Sequence, residues 1–433
     1  MSNSEPDMHT TKTSIWAIVT GAEAQERRLL TISFFLFMCV LASYYMLRPL
    51  RDQFSAAVGS TNLWQFWVGT FLVMLALTPV FGIMVSKFPR EKFVPAIYIF
   101  FILCIAAFVP AFAIQDRIGP RLLGIIFYVW VSTFNLFVVS VFWSLMADIF
   151  DAVQAKRLFP VIALGGTVGA IIGPLIARSL PVQTLLIAAG VTLGVGLLCI
   201  FALLNMSKRQ RSLIAGSQVE NEVIGGDILA GLKQVFTSPF LRKMAVLMLL
   251  GDAIATVAYG LGADYIGAHY ADREARKTVY ANIDLITNVL QILLQVSITR
   301  WILLRFGAGY GLVIPAVFNA VLALVCVFVG EASIILMLIA TRAGTYGMVK
   351  PSVDSLYTRV HREAKYKGKN FIETTVWRFG DVLVSLGMKG LSLVGVAFTG
   401  YALICVGVAS LAGYFGWQAS KSPDLLPEPI QKN

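Results

Sequence analysis

The sequence predicts an all-α membrane protein of about twelve transmembrane helices in two six-helix halves, with both termini on the cytoplasmic side. Three observations carry this expectation: an apolar composition, apolar runs of bilayer-spanning length, and basic residues gathered in alternate loops. The chain is 57% hydrophobic and 14% charged, whereas a soluble domain carries about a quarter charged residues. Its mean hydropathy is +0.76. The net charge of +11 sits in short loops between apolar runs, which marks membrane orientation rather than a nucleic-acid surface.

At about 20 apolar residues per crossing, the first six spans fall near 29–48, 62–85, 93–114, 121–146, 158–179 and 182–205. The next six fall near 241–262, 279–298, 309–329, 332–349, 371–395 and 398–418. With the termini inside, the inner loops and tails hold about 24 Lys and Arg residues and the outer loops about 8. Residues 1–27 and 419–433 are expected to be cytoplasmic tails, with 15–19 touching the interface. The apolar run that begins near Leu29 is too long for a secretory signal.

The longest polar stretch, 207–240, separates a first half (28–206) from a second (241–418), and its middle, 216–226, has the glycine and polar content of a linker. Lys87-Phe88 leading to Val94-Pro95 is echoed by Arg305-Phe306 leading to Ile314-Pro315. Charge placement adds a stronger sign of order. The third, sixth, ninth and twelfth spans have no Asp, Glu, Lys or Arg in their interiors, while the seventh, eighth, tenth and eleventh do. Two six-span halves in which every third helix faces lipid form the layout of major facilitator transporters.

The eleventh span carries Thr374, Arg378, Asp381, Ser385 and Lys389 at steps of three or four, hence on one helix face. A charge at mid-membrane costs a few kcal/mol unless it faces protein or water. The seventh span has Asp252, Thr256 and Tyr259 on one face, and the eighth has Asp284, Asn288, Gln291 and Gln295. The tenth has Arg342 and Tyr346, with Lys350 at its cytoplasmic end. In the first half Tyr44, Arg48 and Arg51 share a face, followed by Asp52. Lining of a polar path is the expected role of this set, with interhelical glue and interfacial snorkelling as alternatives for single members.

Two motifs concern movement. Gly82-Ile-Met-Val-Ser-Lys87-Phe-Pro-Arg90 resembles the major facilitator loop between helices two and three, with Ser, Lys and Pro departing from its pattern. Gly165, Gly169 and Gly173 stack at four-residue spacing before Pro174. That spacing fits close helix packing, and Gly169-x-x-x-Gly173-Pro174 also resembles the fifth-helix signature of antiporters.

The five cysteines lie far apart inside apolar spans and read as small hydrophobes. The three histidines have no metal spacing. No cofactor motif, phosphate-cradling loop or nucleophile–base pairing appears, so an enzyme is not expected.

Three stretches carry a family resemblance: Leu47-Arg48-Pro49-Leu50-Arg51-Asp52, then Gln154-Ala155-Lys156-Arg157-Leu158-Phe159-Pro160 with Ala163-Leu164-Gly165, then Lys365-Tyr366-Lys367-Gly368-Lys369 with Phe371-Ile372-Glu373-Thr374-Thr375. Together they resemble the ATP/ADP antiporter (nucleotide translocase) family, and more closely its branch in free-living bacteria. The resemblance implies a multi-pass protein of the bacterial inner membrane and a basic nucleotide-exchange residue at Arg51. The chain departs from the family where Asp381 follows Gly380 in place of a lysine, and where no charged residue lies between Tyr128 and Ala147.

The expected function is secondary transport of a small polar organic solute, whether anionic, zwitterionic or cationic, by alternating access, with nucleotide exchange as the alternative and a non-transporting membrane receptor or scaffold as the third. Arg51, Arg342, Arg378 and Lys389 are expected to meet an anionic group, with Arg48 also on the path. Asp252, Asp284 and Asp381 are expected to balance them, one carrying a coupling proton.

Overall fold

The computed structural model describes residues 23, 26–213, 228–360 and 368–426, with side chains for all but 78–87, 152, 156, 208–213, 228–232, 370 and 374. Segment 15–19, the linker centre, Lys365 to Lys367 and the far C-terminal tail lie outside the described residues, as does the Thr374 side chain.

The first half comprises α1 (Arg27–Val58), α2 (Trp64–Lys87), α3 (Arg90–Ala113), α4 (Pro120–Ile149), α5 (Ala152–Ala177) and α6 (Val182–Leu213). A short helix, Ile228–Thr237, leads to α7 (Pro239–His269). Next come α8 (Arg273–Leu293, continued by Leu294–Thr299 and Arg300–Arg305) and α9 (Ala308–Val329). The tenth helix, α10, joins Ile334–Gly344, Thr345–Val349 and Lys350–Tyr357. The eleventh, α11, joins Lys369–Phe371, Ile372–Val376 and Trp377–Leu393, and α12 is Phe398–Ser420. Ten helices among the described residues are long and apolar enough to cross a membrane; α2 and α11 complete the expected order.

Local chemistry sets the helix starts. Asp151 caps α5 by accepting from the Val153 and Gln154 amides at 2.8 and 2.9 Å, while Gln154 accepts from the Asp151 amide in return. Asp272 caps α8 through the Ala275 amide, 2.9 Å away. At the end of α1, Gly59 takes φ +78°, which only glycine adopts without strain, and turns the chain into Ser60–Asn62.

Several helices outrun their apolar runs. The first was expected to close near residue 48 but continues to Val58. Hydropathy stops where Arg48, Arg51 and Asp52 begin, yet these charges pair with one another inside the bundle, so the helix has no reason to end there. The eighth and tenth extend past their expected limits in the same way.

Segments Leu294–Thr299, Thr345–Val349 and Ile372–Val376 are π-helical, all in the second half. A π turn leaves a carbonyl without its usual partner. In α10 that demand is met from outside, because the Thr299 hydroxyl of α8 donates to the Gly347 carbonyl at 2.7 Å.

The lipid-facing periphery is built from the pairs α3–α6 and α9–α12, which expose apolar side chains such as Leu198 and Phe328. The halves meet through α1 with α7 and α8, α5 with α8, and α2 with α11. Their contacts gather at the end of the bundle where α1 and α7 finish, here the closed end. There the Ser60 amide donates to Asp264 at 2.7 Å, and a Cβ on Gly267 would strike the Ala56 carbonyl. Lys277 donates to the Leu180 carbonyl, and the Val182 amide donates to Glu274 at 3.2 Å. At the opposite end Arg157 pairs with Glu26 at 2.9 Å within the first half, and Lys369 with Asp354 at 2.7 Å within the second. That is the open end.

Candidate substrate cavity

A cavity of about 400 Å³ lies between the halves. The first half lines it with Tyr44, Arg48 and Arg51 of α1, Trp67, Thr70 and Phe71 of α2, and Tyr128, Ser132 and Asn135 of α4. The second half contributes Asp252, Thr256 and Tyr259 of α7, Arg342 and Tyr346 of α10, and Trp377, Arg378 and Asp381 of α11, among others. The i, i+4, i+7 faces anticipated on α1 and α7 thus point into one space.

Five charged groups form a chain across the boundary. Arg51 Nη2 lies 2.6 Å from Asp52 Oδ1, and Arg48 Nε lies 3.6 Å from Asp52 Oδ2. The same Arg48 nitrogen is 3.7 Å from Asp284 Oδ2, whose other oxygen is 2.7 Å from Arg342 Nη2. The outer links are tight and the middle is loose: Arg48 Nε, Asp52 Oδ2 and Asp284 Oδ2 are buried and lack a hydrogen-bond partner. Arg51 also donates to Ser132 at 3.3 Å and lies over the Tyr128 ring at 4.9 Å. From the second half, the Tyr259 hydroxyl donates to Asp52 at 3.0 Å and pairs with Ser55 at 2.7 Å. Arg51 is therefore buried in the interior and does not snorkel to the interface.

A second cluster sits on the α7–α11 wall. Arg378 Nη1 approaches Asp381 Oδ2 at 3.3 Å, and the Thr256 hydroxyl donates to Asp381 Oδ1 at 3.3 Å. Asp252 lies beside them, its Oδ2 within 2.7 Å of where a Cβ on Gly380 would be. That oxygen is buried without a hydrogen-bond partner. Glycine at 380 is what admits the second carboxylate.

Counting formal charges gives each cluster a sign. Arg48, Arg51 and Arg342 against Asp52 and Asp284 leave one positive charge; Asp252 and Asp381 against Arg378 leave one negative; Glu373, also on the lining, is paired with Lys350. The cavity is neutral in sum and dipolar in layout.

Some expected path residues lie elsewhere. Lys389 stacks on the Trp64 ring at 4.5 Å, joining α11 to α2 outside the cavity lining, because it sits two turns beyond Asp381 toward the closed end. Asn288 donates to the Ala170 carbonyl at 2.7 Å and so ties α8 to α5, the interhelical role. Asp284 acts from behind the wall through Arg342 and Arg48. Gly165, Gly169 and Gly173 face α1, where a Cβ on each would run into the carbonyls of Phe34, Met38 and Ala42. Pro174 lies within α5 one residue after Gly173. Arg90 pairs with Asp148 of α4. Gly82 and Lys87 fall in the part of α2 whose side chains lie outside the described residues.

The α2 and α4 contributions were not anticipated. Tyr128, Ser132 and Asn135 follow the same i, i+4, i+7 rule that selected Asp252, but in an uncharged apolar run. Aromatic rings dominate the rest of the lining, with Tyr346 and Trp377 stacked at 6.4 Å and 24°.

No protein-family model and no curated protein matches the sequence. Solved structures do match its fold. A bacterial homologue of the iron transporter ferroportin, in an inward-facing state, superposes with TM-score 0.63 at 14% identity, covering 92% of this chain and 98% of that one. The nucleoside transporter NupG gives TM-score 0.61 at 12% identity, over 92% and 98%. A POT family transporter in complex with 5-aminolevulinic acid gives 0.63 at 13% identity, over 91% and 97%. The chain is thus a multi-pass membrane protein with the major facilitator-type transporter fold.

Proposed function

We propose that the chain is a secondary active transporter that carries a small zwitterionic or dipolar organic solute by alternating access. The single observation behind this reading is the dipolar cavity: an excess positive charge at Arg48, Arg51 and Arg342 opposite an excess negative charge at Asp252 and Asp381. A cargo carboxylate or phosphate would meet the guanidinium groups, which bind oxyanions strongly in a poorly solvated site. A cargo amine, or a coupling proton, would take the place facing Asp252 and Asp381. With the termini cytoplasmic in a bacterial inner membrane, the open end faces the cytoplasm and the conformation is inward-facing. Lipid surrounds the bundle, and the solute is its small-molecule partner.

Nucleotide exchange is the second reading. It is favoured by the family resemblance, by Arg51 in the cavity, and by the flat rings of Trp67, Tyr128 and Trp377 beside it. A cavity without net charge argues against a polyphosphate cargo. A thermal-shift screen of the purified protein separates the two, because a ligand of the folded state raises its stability by mass action. A shift by amino-carboxylates, absent in Arg51→Ala, supports the first reading. A shift by ATP or ADP alone, lost in Arg51→Ala, replaces it with the second. Counterflow that persists in Asp381→Asn while uphill uptake fails assigns the coupling proton to Asp381.

A further inference from the structure

A second pocket, of about 320 Å³, opens at the closed end and shares no lining residue with the central cavity. It straddles the halves: Gln53 and Phe54 of α1, Phe66 of α2 and Arg121 of α4 face Arg273 and Arg276 of α8. Its lining includes three arginines and no carboxylate.

Two of the cations are held by neutral groups. Arg276 Nε donates to the Tyr270 carbonyl at 2.6 Å and its Nη2 to the Gly267 carbonyl at 3.2 Å. Arg121 Nη2 donates to Gln65 Oε1 at 3.0 Å. Among the described residues no ion pair engages Arg121, Arg273 or Arg276. On the pocket's inner wall Gln53 is 4% exposed, and its Oε1 is buried without a hydrogen-bond partner. The site thus offers guanidinium donors from both halves.

We infer that this pocket binds an oxyanion. Hydrogen phosphate, a hydroxycarboxylate and a glycerol-phosphate lipid headgroup share that chemistry. The oxyanion takes the guanidinium N–H groups of Arg121, Arg273 and Arg276. Arg273 and Arg276 belong to one half and Gln53 and Arg121 to the other, so the ligand bridges them and favours the closed-end conformation. The binding claim is independent of transport. Its effect on the conformational cycle rests on the alternating-access reading above.

The test uses the full chain in phosphate-free zwitterionic buffer, with inorganic phosphate and citrate as probes and sodium chloride at matched ionic strength as control. Either probe is expected to raise the melting temperature where chloride does not. Arg121→Gln and Arg273→Gln are each expected to weaken the apparent affinity by about tenfold. Nanodiscs of phosphatidylcholine with and without phosphatidylglycerol separate the sources. A probe response present in the first and abolished in the second assigns the site to the headgroup. A response equal in both assigns it to the free anion. An unchanged response in the Arg121→Gln/Arg273→Gln double variant, or the same shift from sodium chloride, overturns the proposal, as does silence from both probes together with no stabilisation by phosphatidylglycerol. Failure of transport with an intact binding isotherm would instead count against the function proposed above.

Discussion

Arg48 of α1 meets Asp284 of α8 at 3.7 Å across the boundary between the two halves. The separation is long for a bonded pair, whereas Arg342 holds the other oxygen of the same carboxylate at 2.7 Å. Arg48 also lies 3.6 Å from Asp52 in its own helix. It is shared between two acids and fully bonded to neither, so an anionic group entering the cavity can compete for it. Competition at that point would loosen the link between halves and couple cargo binding to movement.

Removing Asp284 leaves Arg342 and Arg48 buried beside an empty position. Breaking a buried pair costs about 3–5 kcal/mol when one charge is left uncompensated. Asp284→Ala is therefore expected to lower the melting temperature sharply. Adding Arg342→Ala should restore part of the loss, because the second change removes one stranded charge. Strictly additive melting shifts in the double variant would show that the two residues do not act together.

Lys277 is 1% exposed and fastens α8 to the end of α5, donating to the Leu180 carbonyl and lying 2.5 Å from Glu274 Oε2. Lys277→Met keeps the bulk and removes these bonds. The closed end is expected to open more often, by roughly tenfold for a loss of one charged hydrogen bond. The readout is the rate at which an impermeant thiol reagent reaches Ala255→Cys, on the cavity wall, from the closed side of oriented vesicles. An unchanged rate would remove Lys277 from the latch.

Gly169 allows α5 to lie against α1, since a Cβ there would strike the Met38 carbonyl, a backbone atom that cannot turn away. Gly169→Ala is expected to cost about 1–3 kcal/mol through forced backbone shifts. Gly194→Ala is the control, because a Cβ at Gly194 meets nothing within 4 Å. Equal melting temperatures for the two variants would contradict the packing assigned here.

Much of this arrangement was legible beforehand. Charges at helical spacing identified Arg51, Asp252, Arg342, Arg378 and Asp381, because a charge in an apolar run needs a partner or water wherever it sits. Periodicity alone could not tell a cavity wall from a helix junction, so Asn288 and Lys389 looked equivalent to them. Asn288 faces a backbone carbonyl and Lys389 an aromatic ring, and both partners lie far away in sequence. The π segments were illegible for a related reason: they are set by tertiary demands such as Thr299 donating to Gly347. Tyr128, Ser132 and Asn135 were missed because attention followed charge, although their spacing carried the same signal.

Beyond α12, Asp424 accepts from the Ser238 hydroxyl at 2.5 Å and the Phe240 amide at 3.1 Å, closing the start of α7. Partial burial pushes its carboxyl upward, but the bonds from Ser238, Ser422 and Phe240 outweigh it and hold the group below the usual carboxylate range. A depressed folded value means that the stabilisation is present above the unfolded value, about pH 4, and is lost as pH falls through the folded one. Asp424→Asn should therefore destabilise the protein near neutral pH. The gap between variant and wild type should shrink below about pH 4. A gap independent of pH would mean that the charge plays no part.

The central claim is that the cavity between the halves opens alternately to both sides of the membrane. Thiol labelling of Ala255→Cys in a background lacking the five native cysteines tests it most directly, with an impermeant reagent added to each side in turn. The account predicts fast labelling from the open end and slower but measurable labelling from the closed end, increased by Lys277→Met. Labelling confined to the open end in both the parent and the Lys277→Met variant would contradict alternating access and leave a one-sided receptor in its place.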